Sequence, residues 1–118
     1  MSRSEDWVRL RHMLGAAQEA LAFIDGRSRG DLDADRKLLL ALFSDLSMIG
    51  EAANHVTADG RAALPGVPWA AVIGMRHRVV HGYFDIDNQQ VWDTVHDDLP
   101  SLVEELERFL RSAGHLGQ

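Results

Sequence analysis

The residues best suited to chemistry in this chain of 118 lie close together, between positions 76 and 83. They are two arginines, two histidines and a tyrosine: Arg76, Arg78, His77, His81 and Tyr83. Arginine presents a planar fork of donors that fits a phosphate, and histidine can take up and return a proton near neutral pH. This combination suits metal-free cleavage of RNA, in which the ribose 2′-OH attacks the neighbouring phosphate. DNA lacks that hydroxyl group, so such a site acts on RNA.

The spacing of these residues does not by itself bring them together. On a straight helix Arg76 and His81 point about 140° apart, whereas His77 and His81 share a face. Arg76 and His81 would converge if the helix loosened near Gly82, or if each faced its twin across a dimer axis. The two histidines have the spacing of a zinc-binding pair, but the glutamate of the His-Glu-x-x-His motif is missing and no third ligand is evident. We therefore predict no metal and no cofactor.

Hydrophobic periodicity predicts the helices that must position this segment. Apolar residues recur in steps of three and four over residues 7–24 and again over 39–56, as on one face of a helix. Three further helices are predicted to start near Pro68, Asp87 and Pro100, the first of them ending at a glycine. No segment alternates in the manner of a strand. The expected fold class is all-α, with four long helices and one short helix.

The second predicted helix is apolar beyond a single stripe, since Leu38, Leu40, Phe43 and Met48 widen its surface. A helix of this kind packs on two sides, either centrally in a bundle or against a second subunit. Glu51, further along the same helix, is a candidate to orient an arginine or histidine near a cleft. A solvated structural role is the alternative for this glutamate.

Length and composition restrict the remaining possibilities. A chain of this size fits one domain, and an apolar share of 46% is enough to build a core. No apolar run approaches the roughly 20 residues that span a bilayer, and cysteine is absent. We expect a cytoplasmic protein without membrane contact. The net charge of −6 argues against a general nucleic-acid coat protein but allows a local phosphate site.

Short sequence signatures are spread over almost the whole chain. They occupy residues 49–53, 67–69, 73–76, 81–87, 91–92 and 98–100. Together with the order Arg76, His77, His81, Tyr83, they resemble the HepT-like toxins of the HEPN superfamily, which pair with minimal nucleotidyltransferase (MNT) antitoxins. The resemblance covers about residues 6–110 and indicates one HEPN-like domain over 1–118.

The resemblance implies a helical-bundle homodimer that cuts RNA without a metal. Arg76 and His81 of both subunits would line a cleft at the two-fold axis. An MNT partner would transfer AMP from ATP to Tyr83 and thereby silence the toxin. Two alternatives stay open: a catalytically weak HEPN domain that binds nucleotide or RNA or only assembles with the transferase, and a helical scaffold without a site.

The neighbouring residues receive supporting roles in this hypothesis. We expect His77 and Glu51 to support the catalytic pair, and Arg78 to contact a phosphate of the RNA. The presence of both Arg76 and His81 favours the enzyme over the scaffold.

Overall fold

The computed structural model describes residues 5–82 and 85–116 of the chain. Its two longest helices, α1 (Asp6–Ile24) and α3 (Arg36–Asn54), form the most extensive helix pair, and the short α2 (Asp31–Ala34) lies between them in the chain. The apolar residues that recur along both sequences lie on the faces that these helices bury, as their periodicity predicted.

The remaining elements complete the bundle around α1 and α3. In chain order they are α4 (Ala58–Ala62), α5 (Trp69–Ile73), α6 (Met75–Val79), β1 (Val80–His81), β2 (Asp85–Ile86), α7 (Asn88–Asp93), a π-helical turn (Thr94–Asp98) and α8 (Leu99–Ser112). Helix α8 packs on α1, and both α5 and α6 pack on α3. The predicted all-α fold class is confirmed. Within the described ranges, no helix is long and apolar enough to cross a membrane.

The hydrophobic core lies between α1, α3 and α8. Its fully buried large side chains come from all three helices and include Leu10, Met13, Leu42, Leu46, Leu106 and Leu110. Burying one such side chain contributes about 1.5–3 kcal/mol. Because α5 and α6 pack on α3, this core supports the segment that carries the arginines and histidines.

One carboxyl group, that of Asp45 on α3, lies inside the bundle. Asp45 is buried, and its Oδ2 atom has no hydrogen-bond partner among the described residues. Burial, and after it the neighbouring Glu19 carboxyl group of α1, raises the pKa of Asp45 to about 7. Asp45 therefore ionises near neutral pH, whereas the pKa of an exposed aspartate is about 3.9.

The third predicted helix is interrupted and ends early. Gly74 separates α5 from α6, and Val80 is already extended (φ −118°, ψ 128°), so the helix stops at Val79 rather than at Gly82. Adjacent β-branched residues favour an extended chain over a helix, which accounts for the early end. One of the four long helices that we predicted is therefore two short helices.

The prediction that the chain contains no strand is wrong. Strands β1 and β2 pair in antiparallel fashion, with Val80 opposite Ile86 and His81 opposite Asp85. Gly82, with a φ of +68°, supplies the left-handed backbone that the chain adopts as it leaves β1. Each strand has only two residues, and an alternating pattern cannot be recognised over so short a stretch.

The helix predicted to start near Pro100 is present, since α8 begins at Leu99 with the proline in its first turn, but no loop precedes it. Helix α7, the π-helical turn and α8 follow one another without a break, because Asp98 and Leu99 keep helical backbone angles. Proline lacks the N–H group that would bond to an earlier carbonyl. The wider π-helical turn lies just before the proline, where the regular hydrogen-bond ladder is interrupted.

Candidate active site

Strands β1 and β2 together are called the hairpin below. Arg76 lies on α6 and is exposed at the edge of a groove between α3 and this hairpin. Its guanidinium carbon is 5.6 Å from the centroid of the Phe43 ring, so α3 supports the side chain through a cation–π contact. The groove has a volume of about 580 Å³ and is lined by Arg36, Leu40, Phe43, Arg76, Val80, Gly82 and Ile86. We call it the arginine groove. It combines a cationic donor with an apolar floor.

His81 lies on β1 and is held by Asp87. The Nε2 atom of His81 is 2.8 Å from Oδ2 of Asp87. The other oxygen of Asp87 accepts a hydrogen bond from the Gln90 backbone N–H at 3.0 Å, and the Asp87 N–H donates to the Val79 carbonyl at 2.7 Å. The carboxylate that holds the imidazole is thus anchored at the start of α7, where the sequence predicted only a helix cap.

The charge state of Asp87 determines which nitrogen of His81 is available. The Gln90 N–H, and after it the His81 ring, hold the pKa of Asp87 below its ordinary value. An ionised carboxylate can only accept hydrogen bonds, so Nε2 of His81 must carry the proton in this pair. The Nδ1 atom is therefore the nitrogen that can exchange a proton with a substrate.

Arg76 and His81 do not line the same groove in this chain. Successive residues of a strand point to opposite faces, and Val80, with its partner Ile86, lines the arginine groove. His81 therefore lies on the other face of the hairpin, and it is not among the described residues that line the groove. We predicted that Arg76 and His81 could converge if the helix loosened near Gly82. The helix does end before His81, but this alone does not place the two side chains together.

His77 and His81 do not share a helical face, and that prediction is wrong. Helix α6 ends at Val79, so His81 belongs to the strand and the spacing of four no longer describes one face. The His77 side chain is exposed and makes no hydrogen bond with the described residues. Within residues 5–82 and 85–116, no group of three or more histidines, aspartates and glutamates could hold a metal ion.

Arg78 points to a different part of the bundle. Its Nη2 atom donates to Thr94 Oγ1 at 2.7 Å and forms an ion pair with Asp98. These bonds tie α6 to the π-helical turn. The guanidinium therefore has partners inside the protomer, and the predicted contact with RNA phosphate stays a prediction.

A second depression, which we call the histidine pocket, also includes Arg76. It has a volume of about 470 Å³ and is lined by Arg9, His12, Ser47, Met48, Glu51, Ala52, His55 and Arg76. Glu51, which we predicted to support an arginine or a histidine, is largely exposed here with its Oε2 atom 3.6 Å from Nδ1 of His55. The sequence did not indicate that His12 and His55 are neighbours, because only the pairing of α1 with α3 brings them together.

Tyr83, the predicted acceptor of AMP, lies outside the described residues.

The fold and site define an all-α domain with an arginine on a short helix and a carboxylate-held histidine on the adjoining hairpin. The family described as "Ribonuclease HepT-like" matches residues 13–109. The chain therefore belongs to the HepT-like ribonuclease family.

Several curated relatives are similar over most of the chain. A proposed RNase of Methanocaldococcus jannaschii is 29% identical over 107 residues, which cover 91% of this chain and 98% of the relative. A proposed ribonuclease HepT of Thermococcus cleftensis is 35% identical over 79 residues, covering 67% of this chain and 72% of the relative. A proposed RNase of Caldanaerobacter subterraneus is 28% identical over 102 residues, covering 86% and 91%. No solved structure matches the chain.

Proposed function

We propose that the chain is a metal-independent endoribonuclease that acts as a homodimer and serves as the toxin of a HEPN/MNT toxin–antitoxin pair. The observation that carries this proposal is the His81–Asp87 hydrogen bond beside an arginine-bearing helix, in a chain that belongs to a ribonuclease family. The bond leaves one imidazole nitrogen available for proton transfer, which is the chemical requirement of the reaction.

In the proposed reaction, Nδ1 of His81 takes the proton of a ribose 2′-OH. The 2′-oxygen then forms a bond to the neighbouring phosphorus, and the bond from phosphorus to the 5′-oxygen breaks. The departing 5′-oxygen takes a proton from water, and the imidazolium returns its proton to solvent. Arg76 donates to the phosphate oxygens, where negative charge increases in the transition state. The products are a 2′,3′-cyclic phosphate and a 5′-hydroxyl end.

The homodimer explains how Arg76 and His81 reach the same phosphate. The outer surface of α3 carries Leu40, which is 43% exposed, and Met48, which is 51% exposed, with the half-buried Phe43 between them. Such a patch on a small protein favours burial against a partner. A two-fold contact along this face would set the arginine groove of one subunit beside the hairpin of the other. A stable dimer of this type buries more than about 2,000 Å² in total.

The proposed regulation rests on the family resemblance. The MNT partner would transfer AMP from ATP to the Tyr83 hydroxyl, with release of pyrophosphate. The attached phosphodiester adds a negative charge seven residues after Arg76 in the chain, and arginines can bind such a group through charge-assisted hydrogen bonds. The modification would then occupy the site that RNA needs.

One observation favours the alternative, a catalytically weak HEPN domain that binds RNA or nucleotide or only assembles with the transferase. His81 lies outside the arginine groove of its own protomer, and a chain that did not dimerise would lack a complete site.

A cleavage assay in EDTA distinguishes the two functions. The purified homodimer is incubated with a labelled single-stranded RNA, and His81→Ala and Arg76→Ala are compared with His77→Ala. We expect cleavage by the wild type, loss of cleavage in the first two variants with unchanged circular dichroism, and a smaller effect of His77→Ala. Cleavage that needs added metal, or that survives both substitutions, contradicts the proposed mechanism. Binding of RNA without cleavage supports the alternative.

A further inference from the structure

The histidine pocket has no role in the cleavage step described above. It is built from three elements that are distant in the sequence: α1 supplies Arg9 and His12, the end of α3 supplies Glu51 and His55, and α6 supplies Arg76. We propose that this pocket binds a phosphate of the RNA next to the one that is cleaved. The inference rests on the proposed function and deepens it, since it says where the flanking substrate lies.

Cationic side chains outnumber carboxylates in the lining of the pocket. The lining contains two arginines and one carboxylate, whereas acidic residues are in excess over the whole chain, which has a net charge of −6. The carboxylate belongs to Glu51, and it faces His55 at 3.6 Å rather than standing alone. An anion is therefore the ligand that suits this surface, and the two guanidinium groups disfavour a metal ion.

Arg76 connects this pocket to the proposed reaction. Its side chain lines both the arginine groove and the histidine pocket. An RNA strand can therefore place one phosphate in the arginine groove and the next phosphate in the histidine pocket. Both phosphates would then lie within reach of the Arg76 guanidinium. Contacts of this kind position a nucleic acid and supply much of its affinity, but they do not read its sequence. The pocket is therefore expected to bind the phosphates of an RNA strand whatever its base sequence.

The shape of the pocket agrees with a flexible single strand. It is an open depression at the surface of one subunit, where Met48 borders the proposed dimer face, and both histidines in it are exposed. Replacing them should therefore not disturb the core. The double variant His12→Gln/His55→Gln removes both imidazole rings from the pocket while keeping polar side chains of similar length.

The test uses the full-length homodimer and two oligonucleotides of the same sequence. One is RNA, for cleavage, and the other is its 2′-O-methyl form, which cannot be cleaved and reports binding alone. For the double variant we expect KM, and the Kd of the methylated strand, to increase about 3- to 10-fold, with kcat within about twofold of the wild type.

His96→Gln is the matched control, because His96 is also an exposed histidine beside a carboxylate, with Nδ1 2.8 Å from Oδ1 of Asp97, but lies outside the pocket. It should keep the wild-type KM and Kd. Unchanged KM and Kd in the double variant overturn the subsite while cleavage by the wild type leaves the proposed function standing. A fall in kcat at constant KM also overturns it, since the histidines would then act in the chemistry. A wild type that neither binds nor cleaves RNA overturns both proposals.

Discussion

Replacing Asp87 with asparagine should slow RNA cleavage about tenfold without unfolding the protein. The asparagine oxygen can still cap α7 through the Gln90 N–H, since asparagine is as good a cap as aspartate. The hydrogen bond to Nε2 of His81 loses its charge, and the amide N–H₂ can instead donate to the ring. When the side-chain amide at position 87 donates to Nε2, the His81 ring adopts the tautomer with its proton on Nδ1. Nδ1 can then no longer accept a proton from the substrate.

The size of the effect follows from the exposure of the pair. Hydrogen bonds to charged groups contribute about 1.5–3 kcal/mol, and exposed ion pairs only about 0.2–1 kcal/mol. His81 is 61% exposed and Asp87 is 29% exposed, so water weakens the interaction. A value of about 1.4 kcal/mol lies between these ranges and corresponds to a tenfold change in rate. The global stability should change by less than about 1 kcal/mol, because the pair lies at the surface.

Two measurements check this prediction. Steady-state cleavage should show a lower kcat at nearly unchanged KM, and the ¹⁵N chemical shifts of the neutral His81 ring should report Nε2–H in the wild type and a shift towards Nδ1–H in Asp87→Asn. Asp85→Asn is the control, since Asp85 lies opposite His81 in the hairpin and also removes a carboxylate, but has no hydrogen bond to the ring. Full activity with an unchanged tautomer in Asp87→Asn would refute the role of Asp87 in fixing the proton position on His81.

Three further predictions concern stability, assembly and regulation. The pKa of Asp45 is raised to about 7 in the folded state. Between about pH 4 and pH 7 the folded state therefore keeps a proton that the unfolded state has lost. The free energy of unfolding falls as the pH rises through this window. Asp45→Asn should therefore raise the free energy of unfolding by about 1–3 kcal/mol at pH 8 and change it little at pH 4; equal effects at both values in thermal melts would contradict this. Light scattering should report a dimer for the wild type and a monomer without cleavage activity for Leu40→Asp/Met48→Asp; an active monomer would exclude a shared site. Incubation with the cognate transferase and ATP should add the mass of one or more AMP units to the wild type and none to Tyr83→Phe; label on another residue would refute modification of Tyr83.

The sequence predicted the parts of the fold that depend on long periodic patterns. Helices α1 and α3 have 19 residues each, which is long enough for a helical period to be recognised, and both helices are present. The break at Gly74 and the two-residue strands depend on local backbone choices that involve too few residues to produce a pattern. The hairpin is the more consequential omission, because it determines the direction in which His81 points.

The site shows the same division. Arg76 and His81 could be selected from residue type and spacing, whereas Asp87 was predicted only as a helix cap. The Asp87–His81 bond requires the chain to fold back between the two residues. The proximity of His12 to His55 depends on the packing of α1 against α3 and has no local signature. Long-range contacts of this kind are set by tertiary structure rather than by neighbouring residues.

Subunit complementation tests the shared active site most directly. Neither Arg76→Ala nor His81→Ala homodimers should cleave RNA. When the two variants are unfolded together and refolded in EDTA, half of the dimers are mixed, and each mixed dimer has one complete site, with Arg76 from one subunit and His81 from the other. We expect recovery of about a quarter of wild-type activity, because a mixed dimer with two-fold symmetry has one complete site of two. No recovery in mixed dimers, shown to form by mass spectrometry, would contradict a site shared between subunits.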